Sequence, residues 1–114
     1  MTDRLIPYVI YINPAEFVGD SNHLKEFISQ NKLVHTWWNY IPFVYVVTSR
    51  YFAGEIKNAI QKYIGKNVDV LVAEIDLTNL TGAAPSGAWK AFDKDIRIVI
   101  DPSFIPSDDA DPSE

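Results

Sequence analysis

The chain has no cysteine and only two histidines among its 114 residues. The first absence excludes a disulfide scaffold, a thiolate metal cluster and a cysteine nucleophile. His23 and His35 fall on different elements with no ligand spacing between them, so no zinc site is expected. Nowhere does the sequence approach the ~18 consecutive apolar residues of a membrane span, and Met1-Thr2-Asp3-Arg4 opens no basic-then-apolar leader. The expectation is a soluble, cytoplasmic protein with no membrane partner. Thr78 to Gly82 holds a single glycine and lacks the spacing of a phosphate-cradling loop, and no Gly-x-Ser-x-Gly element is present. Asn79-Leu80-Thr81 fits a glycan acceptor pattern that carries no meaning without secretion.

Basic charge is also scarce. The formal net charge is −5, and Asp101, Asp108, Asp109, Asp111 and Glu114 account for all of it, leaving residues 1–100 neutral. Nucleic-acid affinity rests on basic groups that displace counterions from phosphates. Binding of that kind would need a local patch such as Lys57, Lys62 and Lys66, which read more simply as the wet face of an amphipathic helix. What the chain does have is apolar residues, at 47%, and aromatic ones, at 13%, enough to bury a core in one domain over residues 1–100. The three prolines and the acids after Ile100 predict a disordered acidic tail over 101–114.

Ile6 to Ile12 is β-branched and aromatic and closes on Asn13-Pro14, the pattern of a buried central strand. Ser21 can cap a helix carrying Leu24, Phe27 and Ile28, which Ser29 to Lys32 stops. Val34 to Tyr40 and Val44 to Thr48 are the second and third strands, joined by a hairpin at Ile41-Pro42-Phe43. Phe52, Ile56, Ala59, Ile60, Tyr63 and Ile64 form one helical stripe ended by Gly65, and Val68 to Leu77 is the fourth strand. Strand, helix, strand, strand, helix, strand folds most simply as a ferredoxin-like α+β sandwich, with four antiparallel strands, both helices on one face and the first strand central. Beyond it, Ser86 can start a short helix bearing Trp89 and Phe92, and the alternation of Ile96, Ile98 and Ile100 predicts a fifth strand over 95–100.

With both helices on one face, the other face is left open and apolar, which monomers rarely tolerate over more than a few hundred Å². Two copies pressed sheet to sheet across a two-fold axis would cover it, and the fifth strand could pair with the partner's edge or fold back on its own sheet. Trp37 and Trp38 must point to opposite faces, so one of them, with Tyr40 on the Trp38 side, is expected to anchor the dimer or stack on a base. Trp89 and Ile98 belong to the same expected contact.

The runs Tyr8-Val9-Ile10-Tyr11-Ile12-Asn13-Pro14, Trp37-Trp38-Asn39-Tyr40 and Tyr45-Val46-Val47-Thr48 resemble those of small bacterial and phage proteins of the SinR-like group, as do Asp69 to Ile75 and Gly87 to Phe92. That group is similar in fold to the small CRISPR-associated endoribonuclease that partners the spacer integrase, and to the VapD toxins. The resemblance implies a homodimer whose partner is a protein or nucleic acid. In its nuclease members, an aspartate ending the first strand meets its twin across the dimer axis and holds magnesium or manganese. Here Asn13 takes that place, and an amide is a poor ligand for such a cation and no general base.

Three functions follow from these readings. The first is a non-catalytic homodimeric module with no cofactor. The second is a magnesium- or manganese-dependent nuclease using other carboxylates, with Glu74 and Asp76 sharing one side at the end of the fourth strand. The third is a cofactor-independent small-molecule enzyme built from Asn13, His35, Trp37 and Asn39.

Overall fold

The computed structural model describes residues 1–100. The tail expected over 101–114 lies outside the described residues. The fold is α+β: a four-stranded antiparallel sheet in the order β2-β3-β1-β4, made of β1 (Ile6–Ile12), β2 (Thr36–Ile41), β3 (Val44–Ser49) and β4 (Val70–Glu74). β1 pairs with β3 on one side and β4 on the other, which makes it central and explains its near-continuous apolarity.

Helices α1 (Ser21–Ser29) and α2 (Ala53–Ile64) pack on one face of this sheet, here called the helix face. Asp20, one residue ahead of the expected cap, accepts the Asn22 N–H at 2.8 Å and starts α1. At α2 the Glu55 carboxylate accepts the Phe52 N–H at 3.0 Å, and Gly65 ends the helix at φ +103°, a conformation that favours glycine. Strand alternation sends Ile6, Tyr8, Ile10 and Ile12 of β1 and Tyr45 and Val47 of β3 into the same cluster as Leu24, Ile28, Ile56 and Ile60. Each such side chain contributes about 1.5–3 kcal/mol on burial.

The β2–β3 hairpin turns through Pro42 and Phe43, the latter at φ +63°. A phenylalanine in this left-handed region costs about 1–3 kcal/mol. Packing offsets that cost, since the Phe43 ring meets Phe17 edge-on with centroids 5.9 Å apart. Farther along, the Thr36 and Thr48 hydroxyls bond each other at 2.6 Å and tie the two strands at the opposite end.

The expected fifth strand does not form. Residues 86–100 run as one helical rod, with α3 (Ser86–Phe92), a π-helical stretch (Asp93–Arg97) and the short α4 (Ile98–Ile100). The physical reason is a stripe: Ala88, Phe92 and Ile96 are spaced by four and all buried, packed on Trp38 and Val46 of the sheet. In an α-helix of about 3.6 residues per turn a spacing of four drifts around the axis, and the wider π turn takes up that drift. Its bond from the Ile98 N–H to the Asp93 carbonyl spans five residues. The alternation of Ile96, Ile98 and Ile100 pointed to a strand, and the anchoring of Phe92 and Ile96 overrode it.

Candidate functional site

The second face of the sheet, opposite α1 and α2, decides what is available for function. Here two transverse rows of side chains cross all four strands. One row is Ala73, Val9, Val46 and Trp38; the next is Leu71, Tyr11, Val44 and Ile41, where a bulge shifts β2 by a residue. The rod 86–100 packs over β2 and β3 and seals the Trp38 end of the first row. It leaves Val9 and Ala73 half-buried, and in the second row Leu71 is 58% and Tyr11 42% exposed. Ile41 and Tyr40 extend the exposed strip across β2.

This arrangement corrects the expected role of Trp38. It does lie opposite Trp37, as alternation requires, but it is only 3% exposed and its indole Nε1–H donates to the Ala88 carbonyl at 2.8 Å. Trp89 stacks on it with centroids 5.7 Å apart and Phe92 meets it edge-on at 5.5 Å. A residue packed in this way anchors its own chain's rod and is not free to anchor a second copy or stack on a base. Tyr40 sits 5.5 Å from Trp38 but stays exposed, and Ile98 is half-buried in α4. Trp37, on the helix face, is half-buried with the Lys25 Nζ 5.3 Å from its ring centre.

The polar candidates do not come together. Asn13 follows β1 and uses its side-chain oxygen to accept the Ala15 N–H at 3.1 Å. His35 is exposed at the start of β2, at the opposite end of the sheet and on the far edge from β4. Glu74 ends β4 opposite Tyr8 and pairs with Arg4 at 3.7 Å. Asn13 lies five residues beyond Tyr8, which at ~3.4 Å per residue puts about 17 Å of sheet between it and Glu74. Asp76 accepts both the Thr78 hydroxyl and the Thr78 N–H, at 2.7 and 2.9 Å, and these bonds hold its carboxyl below the usual range. Asn39 donates to the carbonyls of Ile41 and Val44, which closes the hairpin.

Two acidic residues stand beside Asn13, fewer than a divalent cation usually draws together. Of the two, Glu16 turns its carboxylate onto the Asp69 N–H at 2.8 Å, and the Asp69 main-chain carbonyl accepts the Asn13 N–H at 3.0 Å. Magnesium and calcium take six or more oxygens, usually with carboxylates among them. Among the described residues no group of three or more His, Asp or Glu side chains gathers to hold a metal ion, and no helix is long and apolar enough to cross a membrane.

Leu71 and Tyr11, the most exposed large residues of the second row on β4 and β1, were missed by sequence reasoning as individual sites. The signal was available: both strands are apolar at both parities, so each must carry apolar side chains on the second face. Compared with known proteins, the chain matches no family model, no curated protein and no solved structure.

Proposed function

We propose that this chain is a non-catalytic, ferredoxin-like interaction module of the SinR-like kind, which pairs with a second copy of itself and binds a protein partner. The strand order β2-β3-β1-β4 with two helices on one face supports the fold assignment, since two right-handed strand-helix-strand crossovers produce that order. The observation that carries the functional reading is the strip of Leu71, Tyr11 and Ile41, with half-buried Val44 between them, which the described residues leave uncovered. A stable interface takes about 800 Å² from each partner, so the contact extends to the half-buried Val9 and Ala73. The two-fold pairing needs no fifth strand.

Sedimentation of the full chain at micromolar concentration tests this. The expected outcome is a dimer, with Leu71→Lys shifting it to a single-copy species, because a charge in the interface is left without a partner. A wild-type chain that sediments as one copy throughout would overturn the pairing. Partner binding is a separate property and is measured separately below.

A further inference from the structure

The two edges of the sheet differ. β2 ends in a bulge, and the Asn39 amide fills the carbonyls beside it; bulges of this kind blunt an edge against further pairing. β4 has neither device. Its hydrogen-bond phase follows from the bonds at its ends: Asn13 N–H donates to the Asp69 carbonyl, and Ile75 N–H donates to the Pro7 carbonyl. In an antiparallel ladder these directions alternate, so Leu71 and Ala73 bond toward β1 while Val70, Val72 and Glu74 turn their N–H and C=O groups outward. Among the described residues none of those outward groups has a hydrogen-bond partner beyond the ladder.

Acids outnumber bases along the rim of this edge. Glu16 and Asp69 stand at its start with Lys66 nearby, Glu74 and Asp76 stand at its end, and Arg4 pairs with Glu74. A second copy laid antiparallel along β4 would bring acidic ends together at both corners, which opposes edge-to-edge pairing of identical chains. Glu74, which shares its side of the strand with Val70 and Val72, favours an added strand whose basic residues fall on that same side, at alternate positions. Leu71, with Tyr11 behind it on the next strand, offers apolar surface to the side chains between.

From this the geometry points to β4 as a strand-addition site for an extended, basic segment of another protein, alternating Lys or Arg with apolar residues. Main-chain bonds to Val70, Val72 and Glu74 supply affinity, and the acidic rim selects the partner. This names the partner of the interaction module proposed above and rests on that reading, but it does not require the chain to dimerise.

A capped peptide alternating lysine and valine, titrated into the full chain, provides the test. Binding should slow amide exchange at Val70, Val72 and Glu74 by about tenfold or more while leaving Leu71 and Ala73 nearly unchanged, and should weaken with salt. A glutamate-valine peptide should bind at least about tenfold more weakly. Methylating alternate backbone nitrogens of the lysine peptide should abolish protection, as should Val72→Pro in the protein, which removes an outward N–H and spares the β1 ladder. The peptide arm stands even if the proline variant fails to fold. Equal binding of the methylated peptide would reduce the effect to bulk charge attraction and overturn the proposal. Equal protection by a peptide of the chain's own residues 69–75 would do the same, since it would make β4 a self-pairing edge.

Discussion

The two faces of the sheet are made of the same strands and end up with different finishes. On the helix face, eleven buried residues from two strands, two helices and the segment before β4 close into one cluster. On the second face, four residues close around Trp38, and the described residues leave the strip from Leu71 to Ile41 without cover. Two helices span four strands, whereas the rod of 15 residues, helped by Ile75, Leu77 and Ala84 of the connection before it, packs over the β2–β3 half. The difference shows where stability resides and where surface is left for partners. Apolar surface left outside a closed cluster adds little to folding and remains free for association.

The sharpest way to break the comparison is to open the helix face. Ile10→Ala removes a fully buried side chain at the centre of that cluster; it should cost about 2–5 kcal/mol, read as a lower denaturation midpoint for the whole chain. Phe92→Ala on the second face removes a larger ring, yet the rod can detach without unfolding the sheet. Its effect should be local: a red shift in tryptophan emission as Trp38 meets water, and faster exchange in residues 86–100 before global unfolding. If Phe92→Ala and Ile10→Ala lower the global midpoint equally, the two faces are one cooperative unit and the contrast fails.

Alkali gives a smaller effect. Burial raises the Tyr8 phenol, with the Glu74 charge adding to it, and burial alone raises Tyr45. Both phenols belong to the helix-face cluster, and Tyr8 donates to the Tyr51 carbonyl at 2.9 Å. A folded-state pKa above the unfolded value means the folded chain holds its protons longer. The stability is therefore fully present below the ordinary tyrosine range and declines as pH rises from about 10 through the raised values. Denaturant midpoints measured from pH 8 upward, with tyrosinate absorbance as the second readout, should show a flat region and then a fall. The smallest effect is that of Trp38→Phe, which keeps most of the aromatic packing and loses one hydrogen bond to Ala88. A cost of about 1 kcal/mol is expected, enough to loosen the rod but not the sheet.

How much was legible varied with the kind of signal. β1 was bounded to the residue because seven β-branched, aromatic or apolar positions end abruptly at Asn13-Pro14. α2 was nearly as clear, since its stripe has helical spacing and a glycine terminator. The fourth strand was expected over 68–77 but pairs only over Val70–Glu74, because Asp76 leaves the ladder to cap the turn at Leu77–Asn79. Trp37 and Trp38 were placed on opposite faces correctly, while the occupant of the Trp38 face was not foreseen. The separation of Asn13 from Glu74 was implicit in the expected antiparallel sheet, because the end of one strand lies beside the start of its neighbour.

By itself the sequence determined the four strands, the two long helices, their order, and the surplus of apolar side chains that one helical layer cannot cover, since these follow from local periodicity and turn chemistry. Only the tertiary structure decided the state of residues 95–100, whose isoleucines satisfy a strand period and a helix stripe alike. Contact with Trp38 and Val46 selected the helix, because Ala88, Phe92 and Ile96 can all be buried there at once. That choice left half of one face and the β4 edge without cover from the described chain.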